Sequence, residues 1–103
     1  MKIFLFFNFI INGQIPYGST ESSPVVTHTS MKDSKKHRLE SVGRPIDHVE
    51  IKVIDPETGA LKRTGETGEV CSRGHCNFVG YWAQKQATDS VLDQNRWYHT
   101  GYD

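Results

Sequence analysis

Polar and apolar positions alternate most strictly over residues 48–54, His48-Val49-Glu50-Ile51-Lys52-Val53-Ile54. Val49, Ile51 and Val53 fall on one face and Glu50 and Lys52 on the other, the period-2 signature of a half-buried strand. The same alternation places His48 beside Glu50 as a solvated pair. A second extended run covers residues 69–73. The polar stretch between them opens on the turn sequence Asp55-Pro56-Glu57-Thr58-Gly59, which predicts a hairpin with a long connection. Upstream, Pro45 presets its own φ and pushes Arg44 to an extended conformation, so Val42-Gly43-Arg44-Pro45 reads as a sharp turn. Ala87, Val91 and Leu92 share one side of a short helix over residues 84–92, and Trp97-Tyr98 returns to extended structure. Residues 22–40 are rich in Ser, Thr, Lys and His with few apolar positions, and read as a loop. The basic cluster within it, Lys32, Lys35, Lys36, His37 and Arg38, is a solvated face rather than a phosphate site. The fold class that follows is mainly β with one short helix, an α+β arrangement of short twisted strands without internal repeats.

Bulk properties narrow the functional classes. A chain of 103 residues is at most one small domain. Its 12 basic and 12 acidic side chains cancel, leaving no net field to draw in nucleic acid or an acidic membrane. Residues 1–11 are apolar except Lys2 and Asn8, a run shorter than the roughly 20 residues of a spanning helix. It has the outline of a signal peptide without a small-residue cleavage site, and it lacks the Arg and Ser of a transit peptide. It is either a buried strand or foreign sequence from a mispredicted start. The chain thus divides into residues 1–14, an apolar segment whose origin stays open, and residues 15–103. Cys71 and Cys76 are too few for a disulfide scaffold. A zinc site drawing on them with His75 and His99 lacks the second ligand pair such spacings normally show, which favours two reduced thiols on or beside a strand.

Candidate chemistry concentrates in Tyr17-Gly18-Ser19-Thr20-Glu21. Gly18 allows a sharp bend or the close approach of a ligand, and Thr20 can donate to a phosphate oxygen. Glu21 can hold a hard cation such as Mg2+, and Tyr17 offers a flat face to a base. The same residues also make a good helix start, with Ser19 or Thr20 as N-cap. Arg73, at the end of a strand, pairs with Glu69 or Glu66 or binds a phosphate. Trp82 is expected in the core or as a lid over it.

Four further segments follow the pentapeptide in order: Val42-Gly43-Arg44-Pro45, Gly68-Glu69-Val70-Cys71-Ser72-Arg73-Gly74, Gly80-Tyr81-Trp82 and Trp97-Tyr98-His99-Thr100-Gly101. Together the five resemble the second half of the large domain of adenylate-forming, AMP-binding enzymes, the superfamily of acyl-CoA synthetases, luciferases and peptide-synthetase adenylation domains. The resemblance spans residues 15–103. Ser22-Ser23-Pro24-Val25 and the Trp97 segment look most like medium-chain and related acyl-CoA ligases. The resemblance implies a partial, incomplete distorted β-barrel subdomain beside an adenylate site. It also implies a ligase that joins a fatty acid to coenzyme A through an acyl-adenylate, consuming ATP and releasing AMP and pyrophosphate. By the same resemblance Tyr17 packs beside adenine, Gly18 lets the backbone pass close, Thr20 donates to the α-phosphate and Glu21 holds Mg2+. The ribose-binding aspartate of the family directly follows a Thr-Gly pair. Here Tyr102 intervenes and the role passes to Asp103, although a one-residue slip on an extended segment turns a side chain to the other face.

The family's phosphate loop and the catalytic lysine of its small domain have no counterpart in this sequence, so the isolated chain is expected to be inactive. The partners expected are the small molecules alone, and the compartment is mitochondrial or cytoplasmic by resemblance, with no clear targeting signal. The alternative is a stand-alone β-rich binding module with residual nucleotide affinity. A secreted peptide rests on residues 1–11 only.

Overall fold

A computed structural model describes residues 14–101. The apolar N-terminal run and Asp103 therefore lie outside the described residues. Two three-stranded antiparallel sheets carry the fold. The first is small: β1 (Pro16–Tyr17), β2 (Thr27–His28) and β3 (Arg44–Pro45) lie in that order, with Tyr17 opposite Thr27 and Thr27 opposite Pro45. Proline has no N–H to give to a central ladder, and Pro16 and Pro45 accordingly sit in the two edge strands. The swing into β3 needs Gly43, whose φ is +79° and whose missing Cβ would lie 1.9 Å from the His28 carbonyl oxygen.

The second sheet is the larger. β4 (Val49–Ile54) pairs with β5 (Glu69–Gly74) from Val49 opposite Gly74 to Ile54 opposite Glu69. β6 (Tyr98–His99) continues the sheet, with His99 opposite Cys71 and Tyr98 opposite Ser72. The long β4–β5 connection begins as its sequence predicts. Asp55 Oδ1 accepts from the Glu57 and Thr58 amides at 2.9 and 3.2 Å, and Lys62 Nζ reaches Asp55 Oδ2 at 2.9 Å. These donors, Lys62 first, hold the Asp55 carboxyl down at about 2. Neither sheet closes into a barrel among the described residues, in keeping with an incomplete barrel subdomain.

Residue alternation gives the second sheet two faces. Ile51, Val70, Ser72, Tyr98 and Thr100 turn toward the first sheet. Val26, Val49 and Cys76 form the buried apolar cluster there, with Tyr17, Ile46 and Ile51 packed against it. Glu50, Lys52, Glu69, Cys71, Arg73 and His99 occupy the outer face.

Two expectations from sequence are corrected. Residues 22–40 hold β2 and a helix, α1 (Lys35–Glu40), so α2 (Lys85–Val91) is not the lone helix. No residue of α1 is buried, so no apolar periodicity could mark it. The Ser34 hydroxyl caps it by accepting from the His37 amide at 3.2 Å, and Ser41 Oγ donates to the His37 carbonyl at 2.7 Å. Lys32, Lys35, Lys36 and His37 are exposed, as a solvated face requires. In α2, Ala87, Val91 and Leu92 are half-buried as expected. The second correction is at His48, whose φ of +64° breaks the alternation before β4 begins. Glu50 pairs with Arg73 instead of His48. No described helix is long and apolar enough to cross a membrane.

Candidate functional site

Where β1 ends, the chain turns through a single 3-10 turn, Thr20–Ser22, with Ser19 as its N-cap residue. The helix-start and chemical readings of this pentapeptide therefore describe the same object. The Ser19 amide donates to Ser22 Oγ at 2.9 Å, and Ser22 Oγ and the Ser22 amide both lie 3.1 Å from the Ser19 carbonyl. The buried hydroxyls of Ser19 and Ser22 are 3.2 Å apart, and Ser19 Oγ reaches Tyr98 Oη at 3.5 Å. Ser23, at φ +52°, closes the turn with its amide on the Thr20 carbonyl at 3.2 Å. Gly18 is required by its own loop, because a Cβ there would fall 1.8 Å from the Pro24 carbonyl oxygen. The close approach at this glycine is thus of backbone to backbone.

The turn presents Thr20 exposed and Glu21 half-exposed. Glu21 is fixed from both ends. Its carbonyl accepts from the Phe78 amide at 2.7 Å, and its carboxylate Oε1 accepts from the Tyr81 hydroxyl at 2.9 Å. Phe78 packs edge-on to Tyr81 at 4.8 Å and to Tyr98 at 5.9 Å between ring centres. Burial, then the bond to Glu21 and its charge, raises the Tyr81 phenol above its ordinary range, so it stays a donor. Tyr98 is 1% exposed and is pushed up to about 12, mainly by burial, with the charge of Glu21 adding to the shift. Below the turn, Tyr17, Ser19, Ser22, Ser72, Tyr98 and Thr100 line a cavity of about 10 Å³, room for about one water molecule.

Of the residues singled out from sequence, the structure brings Tyr17, Gly18, Thr20 and Glu21 together on one turn. Tyr17 is half-buried against the apolar cluster. Tyr81 and Phe78 were missed as supports of Glu21, although the Gly80-Tyr81-Trp82 motif was a signal for them. Trp82 is 94% exposed, which overturns its placement in the core. Positive φ angles at Gly80 and Ala83 bracket the pair and turn Tyr81 inward and Trp82 outward. Arg73 pairs with neither Glu69 nor Glu66. Its Nε donates to Glu50 Oε2 at 2.7 Å across the β4–β5 ladder, and its guanidinium lies 4.5 Å from the centre of the Trp97 ring.

Known proteins place this geometry. The AMP-binding enzyme family matches residues 5–82. The mitochondrial medium-chain acyl-CoA ligase ACSF2 of Bos taurus is 40% identical over 87 residues, which is 84% of this chain and 14% of the ligase. Apo MatB from Rhodopseudomonas palustris superposes with a TM-score of 0.77 at 28% identity, over 85% of this chain and 17% of MatB. The amide bond synthetase McbA from Marinactinospora thermotolerans gives 0.76 at 30% identity, over 85% of this chain and 17% of the synthetase. This sequence spans only a small part of the length of each of these proteins. With the family matching three quarters of the chain and a ligase 40% identical over 84% of it, the chain belongs to the AMP-binding enzymes.

Proposed function

We propose that this chain supplies one wall of the adenylate site of an ATP-dependent acid–CoA ligase acting on a fatty acid. The observation that carries the reading is the Glu21 carboxylate held by Tyr81 at 2.9 Å on a turn that leaves Thr20 exposed beside it. The likeness to a medium-chain acyl-CoA ligase supports the substrate class. It also makes the mitochondrion the compartment to test first.

The chemistry asks for neutralised charge, because a carboxylate anion must attack the α-phosphorus of ATP while pyrophosphate leaves. The Thr20 hydroxyl donates to an α-phosphate oxygen, and the exposed part of the Tyr17 ring lies against adenine. Asp103 accepts from the ribose hydroxyls. A carboxylate has about four lone-pair sites, so the bond from Tyr81 leaves Glu21 able to ligate Mg2+, an ion commonly held by one or two carboxylates plus phosphate oxygens. When bound, that ion offsets charge on the phosphate oxygens. Tyr81 keeps Glu21 aimed at a fixed point and so lowers the reorganisation needed at the moment of reaction. The thiol sulfur of coenzyme A then attacks the acyl carbonyl, and AMP leaves.

The isolated chain does not turn over in this reading, since it carries no match to the family's phosphate loop or catalytic lysine. Val79 and Trp82 are 90% and 94% exposed, and this reading has the rest of a larger enzyme cover them. Two measurements test the proposal. Residues 15–101, exchanged for the matching segment of the bovine ligase, should preserve acyl-CoA synthesis, and Glu21→Gln in that chimera should lower kcat by about 10²-fold. A chimera indifferent to Glu21→Gln overturns the assignment. Acyl-AMP formed by the isolated chain overturns its inactivity.

A further inference from the structure

On the outer face of the second sheet, on the side away from the adenylate turn, three side chains of different chemistry converge. Glu69 and Cys71 are two residues apart on β5 and so point the same way. The antiparallel register sets His99 of β6 opposite Cys71. Cys71 Sγ lies 3.5 Å from His99 Nδ1, His99 Nδ1 lies 3.7 Å from Glu69 Oε2, and one ligand atom from each residue falls within 4.8 Å of the others. We propose that Glu69, Cys71 and His99 form a three-ligand site for a borderline-soft divalent ion of the Zn2+ class, with a fourth position for water.

Three observations carry this. Tetrahedral Zn2+ bonds of about 2.0–2.3 Å put ligand atoms roughly 3.3–3.6 Å apart, close to the two separations that His99 Nδ1 makes with Cys71 and Glu69, 3.5 and 3.7 Å. The donor set mixes thiol, imidazole and carboxylate, which suits Zn2+ and disfavours Mg2+ or Ca2+, ions that take oxygen ligands. Behind the imidazole, Asp93 Oδ2 sits 3.0 Å from His99 Nε2. A carboxylate there accepts a hydrogen bond from Nε2–H and leaves the Nδ1 lone pair directed at Cys71 and Glu69, the usual support of a metal-bound histidine. Asp93 is itself anchored, since its Oδ1 accepts from the Asn95 and Trp97 amides, each at 2.9 Å. Charge also balances, for a thiolate and a carboxylate neutralise a divalent cation at a site where Cys71 is fully buried. Binding releases the Cys71 proton to solvent. Cys76 and His75, the other pair that sequence spacing offers, take no part.

The test uses the full chain under reducing conditions with Co2+ as a spectroscopic stand-in for Zn2+. Titration should produce a thiolate-to-metal charge-transfer band that saturates at one ion per chain. Cys71→Ser should abolish it, and Cys76→Ser should leave it intact. Asp93→Asn keeps all three ligands and both Oδ1 acceptor contacts but turns an N–H toward His99 Nε2. It should weaken affinity about 10–100-fold, which keeps the proposal testable if Cys71→Ser does not fold. Zn2+ should raise the thermal midpoint of the native chain, and Mg2+ should not. Absence of the band, a band that disappears with Cys76 instead of Cys71, or unchanged affinity in Asp93→Asn overturns the site.

Discussion

The two faces of the β4–β5–β6 sheet are built on opposite principles. The inner face meets the turn at residues 18–22 with hydroxyls and one large ring, Ser72, Thr100 and Tyr98, set against backbone at Gly18 and Ser19. The outer face carries charge: Arg73 with Glu50, Lys52 and Arg73 both over the Trp97 ring, and Glu69, Cys71 and His99 together. Inner contacts constrain where main chain can lie, and main chain has nowhere to relax in a packed interior. Outer contacts are between side-chain ends that can swing into water. Position is therefore specified on the inner face and chemistry on the outer one.

The largest effect should come from Gly18→Ala. The added methyl would have to displace the Pro24 carbonyl, 1.8 Å away, and the expected loss is ~3 kcal/mol or more. Gly59→Ala is the control. Gly59 has φ +73° but open space around it, so only the left-handed penalty of ~1 kcal/mol applies. Thermal melts of the two variants decide the matter, and equal midpoints would mean the turn is not locked against its own loop. Ser22→Ala comes next. It leaves the buried Ser19 amide without the acceptor now 2.9 Å away, a cost of ~1–3 kcal/mol, and should also loosen the placement of Thr20 and Glu21.

Alkaline pH separates the faces without a change of backbone. Tyr98, on the inner face, is held up to about 12 and Cys71, on the outer face, to about 11, each chiefly by burial. Unfolded, the two groups ionise near ~10 and ~8.5. Between unfolded and folded values the folded chain keeps a proton that the unfolded chain has lost, so stability falls as pH rises. The metal-free chain should lose stability first from about pH 8.5 to 11 through Cys71 and then from about 10 to 12 through Tyr98. Cys71→Ser should remove the earlier decline and Tyr98→Phe the later one. A melt series in which Tyr98→Phe leaves the upper window unchanged would count against its burial.

What was legible in the sequence follows the same division. The alternation of residues 49–54, the Asp55 turn and the half-buried stripe of α2 are periodic or local signals, and each stands where expected. The family was legible from motif order, and the Gly18-containing pentapeptide does form a turn. Helix α1 was not, because a six-residue helix with no buried face has only its Ser34 cap to announce it. Tyr81 on Glu21 and His99 opposite Cys71 join positions 60 and 28 residues apart. Linear spacing says nothing of such pairs until strand register is known, which is why the Cys71 and Cys76 spacing could not bring Glu69, Cys71 and His99 together.

The smallest effect should come from the outer face, at Arg73→Ala. The Arg73–Glu50 pair has side chains 38% and 60% exposed, so water screens it and it contributes little. The guanidinium also gives up its place over Trp97, but Lys52 Nζ remains 4.3 Å from the ring centre and keeps part of the cation–π attraction. The expected loss is the smallest of the series and shrinks further in high salt. Acid supplies the sign. The hydrogen bond from Arg73 holds the Glu50 carboxyl below its ordinary value, so the stabilisation is present above the unfolded glutamate pKa of about 4.3 and fades as pH falls through the lower folded value. Arg73→Ala should therefore melt below the native chain at neutral pH and close most of that gap in acid, with inner-face contacts untouched. A gap that persists at low pH would mean that Arg73 acts through packing on Trp97 alone, and the outer face would then be held by the ring more than by its charges.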